Sequence, residues 1–138
     1  QTSMMLDNDI RNTPTSAVME GVGWTNDGNA GSPVPKIRSN LFLNVNRGNH
    51  ALNTTVRYIS EMGDDRFGIR YDTHVVDAHT EMDLQYQYTF GDAEQYNIAL
   101  GAINLFDKEP PFHGFEGYVL RVHNPFMRQL YARVKISL

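Results

Sequence analysis

Apolar residues recur at every second position along much of this chain. From 130 to 138, Leu130, Ala132, Val134, Ile136 and Leu138 alternate with Tyr131, Arg133, Lys135 and Ser137. An extended backbone turns the first set to one side as a purely apolar row and the second to the other as a polar row with one aromatic. The stretch 81–90 repeats the pattern, with Met82, Leu84, Tyr86, Tyr88 and Phe90 opposing Glu81, Asp83, Gln85, Gln87 and Thr89. Three weaker segments obey the same rule. In 39–47, Leu41, Leu43 and Val45 oppose Asn40, Asn44 and Asn46, with Phe42 interrupting the polar row. In 50–60, Leu52, Thr54, Val56 and Tyr58 oppose Asn53, Thr55 and Arg57, and in 95–105 one side carries Tyr96, Ile98, Leu100 and Ala102. Segments 18–24 and 117–123 read as shorter, irregular strands. Gly 11 and Pro 6 are spread so that no window of about 11 residues keeps a helical apolar face. The pattern predicts an all-β, antiparallel fold of about six or seven strands.

The connections alternate in length. Arg47-Gly48-Asn49-His50 and Gly91-Asp92-Ala93-Glu94 read as tight hairpin turns, whereas 63–78 and 107–127 are long, polar and rich in His, Pro and aromatics. In an up-and-down meander this collects the short turns at one end and the long loops at the other, as in outer-membrane barrels. A soluble β-sandwich shows the same alternation within each strand, so both a membrane barrel and a sandwich fit the periodicity.

With 138 residues the chain amounts to one domain at most. Twelve Lys and Arg against 16 Asp and Glu give a net charge of -4, which argues against a nucleic-acid partner. The absence of cysteine removes disulfides, thiolate nucleophiles, zinc ribbons and iron–sulfur clusters. No stretch approaches the roughly 20 apolar residues of a membrane-spanning helix, but a spanning strand needs only about 9–11 alternating ones.

Catalytic motifs are missing: there is no G-x-S-x-G, no P-loop and no G-x-G-x-x-G opening a helix, so no enzymatic activity and no cofactor are expected. Glu81 and Asp83 are paired on one strand face and are expected to face Arg57, Arg133 or Lys135 from other strands rather than to act as an acid/base pair. His50, His74, His79, His113 and His123 are the credible metal ligands, and His74 with His79 lies near Asp72 and Asp77 in one long loop. Their spacing matches no ligand motif, Asp64-Asp65 lacks the alternating oxygens of a calcium loop, and no metal is expected.

GAINLFDKEPPF (101–112), followed a dozen residues later by HNPFMRQLYARVKISL (123–138), resembles the C-terminal end of TonB-dependent outer-membrane receptors. The resemblance rests on Asn104, Leu105, Phe106, Asp107, Lys108, Pro110 and Pro111 at the end of the penultimate strand, and on Pro125 and Arg128 before the last. Asn124 and Met127 depart from that pattern, and Leu138 stands where the family usually ends in Phe. Residues 76–90 and 35–62 are similar to the family's preceding strand and hairpin, so the likeness covers residues 35 to 138.

The resemblance implies a transmembrane barrel, 22-stranded in the full-length family, of which residues 1–138 are a C-terminal portion lacking the plug domain and TonB box. It further implies import of a scarce nutrient such as an iron–siderophore complex across the bacterial outer membrane. The implied partners are TonB through the absent N-terminal region, the barrel-assembly machinery through the last strand, outer-membrane lipid, and a small-molecule substrate. Tyr58, Tyr86, Tyr88, Phe90, Tyr96 and Phe106 then fit girdles at the membrane boundaries. Substrate contacts, if this portion makes them, fall to the long loops. They are Arg66, Arg70, Tyr71 and His74 in the first, and His113, Phe115, Tyr118, Arg121 and His123 in the second. The alternative is a free-standing soluble β-sandwich or small barrel that binds a ligand or partner.

Overall fold

The structure, a computed structural model, describes residues 1–11, 13–25, 33–64, 75–113 and 117–137. These form strands and no helix. In chain order the strands are β1 (Thr2–Met4), β2 (Asp9–Ile10), β3 (Met19–Glu20), β4 (Trp24–Thr25), β5 (Ile37–Arg47), β6 (His50–Ile59) and β7 (Met62–Asp64). There follow β8 (Val75–Val76), β9 (His79–Phe90), β10 (Tyr96–Ile103), β11 (Phe112–His113), β12 (Gly117–Tyr118) and β13 (Gln129–Ile136).

One sheet has the order β1-β5-β6-β9-β10-β13, so its five long strands are neighbours in chain order. This is the predicted meander. Among the described residues β1 and β13 are its edges. Its sixth member, β1, is only three residues long and pairs antiparallel with the start of β5, Thr2 opposite Ser39.

The registers sort the side chains. On β10, Tyr96 lies opposite Phe90 and Ile136, Ile98 opposite Tyr88 and Val134, and Leu100 opposite Tyr86 and Ala132. Because pleating alternates the sides, the apolar rows of β9, β10 and β13 coincide on one face. Gln87, Ala99 and Arg133 share the other, with Gln85, Gly101 and Tyr131 beside them. Short turns occupy 48–49 and 91–95, and the Thr89 N–H donates to the Asn49 carbonyl at 2.9 Å, which brings both turns to one end of the sheet.

The chain divides into two compact units. The first comprises Gln1–Ser39, Tyr58–Thr80 and Glu109–Pro125, and its core is Met62, Val76 and Val119 with Val122 packed against them. Short ladders build it: β2 with β3, β4 parallel to β7, β7 with β8, and β11 with β12. Two expectations change here. The strand expected over 117–123 stops at Tyr118, because the Val122 and His123 N–H groups both donate to the Val119 carbonyl and close a turn. The loop expected over 63–78 contributes β7 and β8, whose Met62 and Val76 are buried because they pack into the core instead of meeting water.

The second unit comprises Asn40–Arg57, Glu81–Lys108 and Phe126–Leu138. Its buried side chains are small or polar: Thr54, Glu81, Ala99, Ala102 and Asn104. Most of its large apolar ones are exposed, with Leu130 at 75% and Val134 at 66%, while Val56, Met82, Leu84, Phe90, Ile103 and Leu105 are half-buried. A single sheet layer has no second layer to bury an apolar face, so much of the hydrophobic rows stays exposed.

On the polar side, Tyr131 lies across Gly101. A Cβ at Gly101 would meet the Tyr131 Cζ at 2.2 Å, so only glycine admits the ring there. The Tyr131 hydroxyl reaches past β10 to accept from Gln85 Nε2 at 2.9 Å. Gly101→Ala is expected to cost about 1–3 kcal/mol of folding free energy by denaturant titration, and less than about 0.5 kcal/mol in a Tyr131→Ala background, where no ring meets the methyl.

Candidate functional site

The polar side of the second unit carries three hydrogen-bonded groups of side chains on alternate positions of four strands. Arg57 on β6 reaches two carboxylates on β9: Nη2 donates to Glu81 Oε2 at 3.0 Å and to Asp83 Oδ1 at 2.9 Å, and Nη1 donates to Asp83 Oδ2. The planar guanidinium suits this fork. Glu81 is only 6% exposed, and a carboxylate so buried needs a cation or donors beside it. Of the three cations expected to face this pair, Arg57 is the one that does. Arg133 and Lys135 lie opposite Ala99 and Asn97.

Toward the short turns the two remaining groups are neutral. Gln85 Oε1 accepts from Gln87 Nε2 at 2.5 Å and from Asn53 Nδ2 at 3.5 Å, and Asn97 Nδ2 donates to Thr89 Oγ1 at 2.9 Å. Gln87, Thr89 and Asn97 line a shallow polar groove with Glu94, Arg133 and Lys135. Amides both donate and accept, so such a surface can lie against water or a polar partner without leaving groups unsatisfied.

The resemblance motif has a physical basis at its centre. Asn104 and Asp107 both adopt left-handed backbone, with φ of 51° and 55°, a conformation that Asn and Asp tolerate better than other residues with a side chain. The Asn104 N–H donates to Asp83 Oδ1 at 3.0 Å. Its side chain closes a ring with Lys108, Nδ2 donating to the Lys108 carbonyl at 2.8 Å and Oδ1 accepting the Lys108 N–H at 2.9 Å. Asp107 Oδ1 accepts the Arg128 N–H at 2.8 Å, with the guanidinium 3.9 Å from Oδ2. Leu105 donates its N–H to the Met82 carbonyl, while Phe106 is exposed. Asn104 and Asp107 therefore shape the exit from β10 and the approach to β13. Pro110 is buried, Pro111 and Pro125 are half-buried, and Leu138 lies outside the described residues.

The apolar side ends near the short turns in a row of rings. His50 Nδ1 lies 2.6 Å from the Tyr86 hydroxyl and its ring 4.9 Å from that of Tyr88. Tyr88 stacks on Phe90 at 5.6 Å, and Phe90 on Tyr96 at 5.2 Å. Four of the six aromatics assigned to girdles meet in this row. Amphipathic rings of this kind favour a boundary between water and hydrocarbon.

Of the loop residues expected to contact substrate, Arg66, Arg70, Tyr71, His74 and Phe115 lie outside the described residues, and His113 is the second residue of β11. Arg121 is exposed. Tyr118 donates its hydroxyl to Glu109 and packs edge-on against Phe112 at 5.8 Å. That hydrogen bond to a carboxylate raises the Tyr118 hydroxyl above its ordinary 10.0. His123 differs from a solvated loop residue. It is buried, and its ring meets that of His79 edge-on at 5.3 Å. His79 is no loop residue either but opens β9, placed there by a pairing of residues far apart in sequence. Among the described residues no three His or carboxylate groups converge as a metal site.

Arg57→Ala is expected to cost about 2 kcal/mol in denaturant titration, between the values for exposed and buried pairs, with Arg57→Lys recovering less than half because one ammonium cannot serve both carboxylates. Asn104→Ala is expected to cost about 1 kcal/mol more than Asn104→Gly. Both lose the side-chain ring to Lys108, but only alanine also bears the left-handed backbone penalty. No protein-family model, no curated protein and no solved structure matches the chain.

Proposed function

We propose that this chain is the C-terminal barrel segment of a TonB-dependent outer-membrane receptor that imports a scarce nutrient such as an iron–siderophore complex. The observation that carries the membrane half of this reading is the inverted placement of side chains in the second unit. Many of its large apolar residues stand exposed on one face, and on the other Arg57, Glu81, Asp83, Gln85 and Tyr131 are held in side-chain hydrogen bonds. In a bilayer the outward rows meet lipid and the polar rows line the lumen. The short turns gathered at one end and the ring row beside them fit the periplasmic boundary of such a barrel.

The receptor half rests on the motif residues. Asn104, Asp107 and Arg128 make contacts that give their residue types a reason, which is more than a chance match of letters supplies. In this reading the segment provides barrel wall, external loops and the closing strand, while nutrient capture and the TonB contact belong to the whole receptor. A free-standing sandwich is the weaker reading, since it requires a second layer over rows that are exposed here.

Size-exclusion chromatography with light scattering, run with and without detergent beside far-ultraviolet circular dichroism, tests the membrane reading. A β-rich particle that is monodisperse only in detergent is expected, and a β-rich monomer in plain buffer overturns it. In chain folded into bilayers, Val134→Arg is expected to cost about 2–4 kcal/mol and Arg133→Ala, one residue away on the lumen side, close to nothing. Receptor identity is tested separately by the gene. Coding sequence upstream of Gln1 is expected to specify further alternating strands and a plug domain, and a start codon at that point with nothing before it overturns the receptor reading.

A further inference from the structure

The first unit contains a cavity of about 570 Å³ that plays no part in the contacts described so far. Its lining includes the apolar side chains of Val22 and Met62, both buried, the rings of Trp24 and Tyr58, and the charged residues Lys36 and Glu61, both exposed. That volume lies within the range of small-molecule sites, roughly 300–1,000 Å³. The indole is held in place before any ligand arrives. Trp24 pairs with Gly63 in the parallel ladder of β4 and β7 and bridges to Val34, whose N–H donates to the Trp24 carbonyl at 3.1 Å. Its ring rests directly on Gly63, where a Cβ would lie 2.3 Å from Cζ3 and 2.5 Å from Cε3. Packed against backbone in this way, the ring has little rotamer freedom left to lose on binding.

Among the described residues no side-chain hydrogen bond or ion pair engages Lys36 or Glu61. A lone anion drawn to Lys36 meets the like charge of Glu61, and a lone cation drawn to Glu61 meets Lys36. A molecule carrying both charges satisfies both residues, and a flat ring satisfies Trp24 and Tyr58. We infer that this cavity binds a small planar aromatic molecule with a zwitterionic head, the ring against Trp24 and Tyr58 and the two charges on Lys36 and Glu61. The inference does not depend on the membrane reading, because every group it uses belongs to the first unit.

The chain has a single tryptophan, so indole fluorescence reports on this cavity alone. The test titrates Nε-dansyl-lysine, a naphthalene with a zwitterionic end and an acceptor for indole emission, into the folded chain, with neutral dansylamide as the comparison. Saturable energy transfer is expected, with dansylamide bound about fivefold more weakly, and Lys36→Ala and Glu61→Ala each moving that ratio toward one. Both substitutions are at exposed positions, and an unchanged circular dichroism spectrum shows that the fold is kept. Transfer that rises linearly without saturating is dye in detergent only and overturns the inference. So does equal affinity for the two dyes, or a ratio that neither substitution moves.

Discussion

The polar side of the second unit depends on one guanidinium. Glu81 and Asp83 stand two residues apart on β9 and point the same way, and pleating cannot separate them. Without a cation between strands, two like charges would share a partly desolvated surface. Arg57 answers both, and in doing so fixes β6 against β9. Asp83 in turn receives the Asn104 N–H, so the left-handed turn that ends β10 is tied to the same pair. That turn carries Asp107 to Arg128, which delivers the chain into β13. A charge on β6 is thus connected, hydrogen bond by hydrogen bond, to the start of the last strand.

This arrangement reverses the usual division of labour in a soluble domain. The first unit follows the ordinary rule on a small scale, with Met62, Val76 and Val119 buried together. The second holds its strands by ladder hydrogen bonds and by groups of bonded amides, hydroxyls and charges, with much of its hydrocarbon exposed. The sequence encodes that reversal without any long apolar run, because alternate residues of a strand address different surroundings. The two small residues opposite the bulky polar ones, Ala99 and Gly101, make room for such groups to cross β10.

The long strands were legible because period two is a property of neighbours in the chain, and β5, β6, β9, β10 and β13 begin and end within one or two residues of the alternating runs. The short ladders were legible only in part. β2, β8 and β11 are two residues long, too short for any periodicity, and of the irregular strands read over 18–24 and 117–123 only the two-residue pieces β3, β12 and the start of β4 form. The candidate site divides along the same line. Alternation placed Glu81 and Asp83 on one face with three possible cations, and only the register across β6 and β9 selected Arg57. His79 and His123 are 44 positions apart in the chain, and their ring contact has no local signature. Nothing in the spacing of Asn104 and Asp107 announces two left-handed residues. Their roles lie in hydrogen bonds to Lys108 and Arg128, which only the folded chain makes.

The ring of Tyr131 over Gly101 bears on how such a sheet assembles. An edge strand joined only to its neighbour can zip and unzip alone, one ladder bond at a time. Here β13 also grips β9 through Gln85, across the strand between them. Docking of the last strand therefore waits on the order of two others, and its loss disturbs both. Three strands become one cooperative step. An exposed edge that would otherwise fray, and offer itself to any passing strand, remains seated until the whole three-strand group gives way.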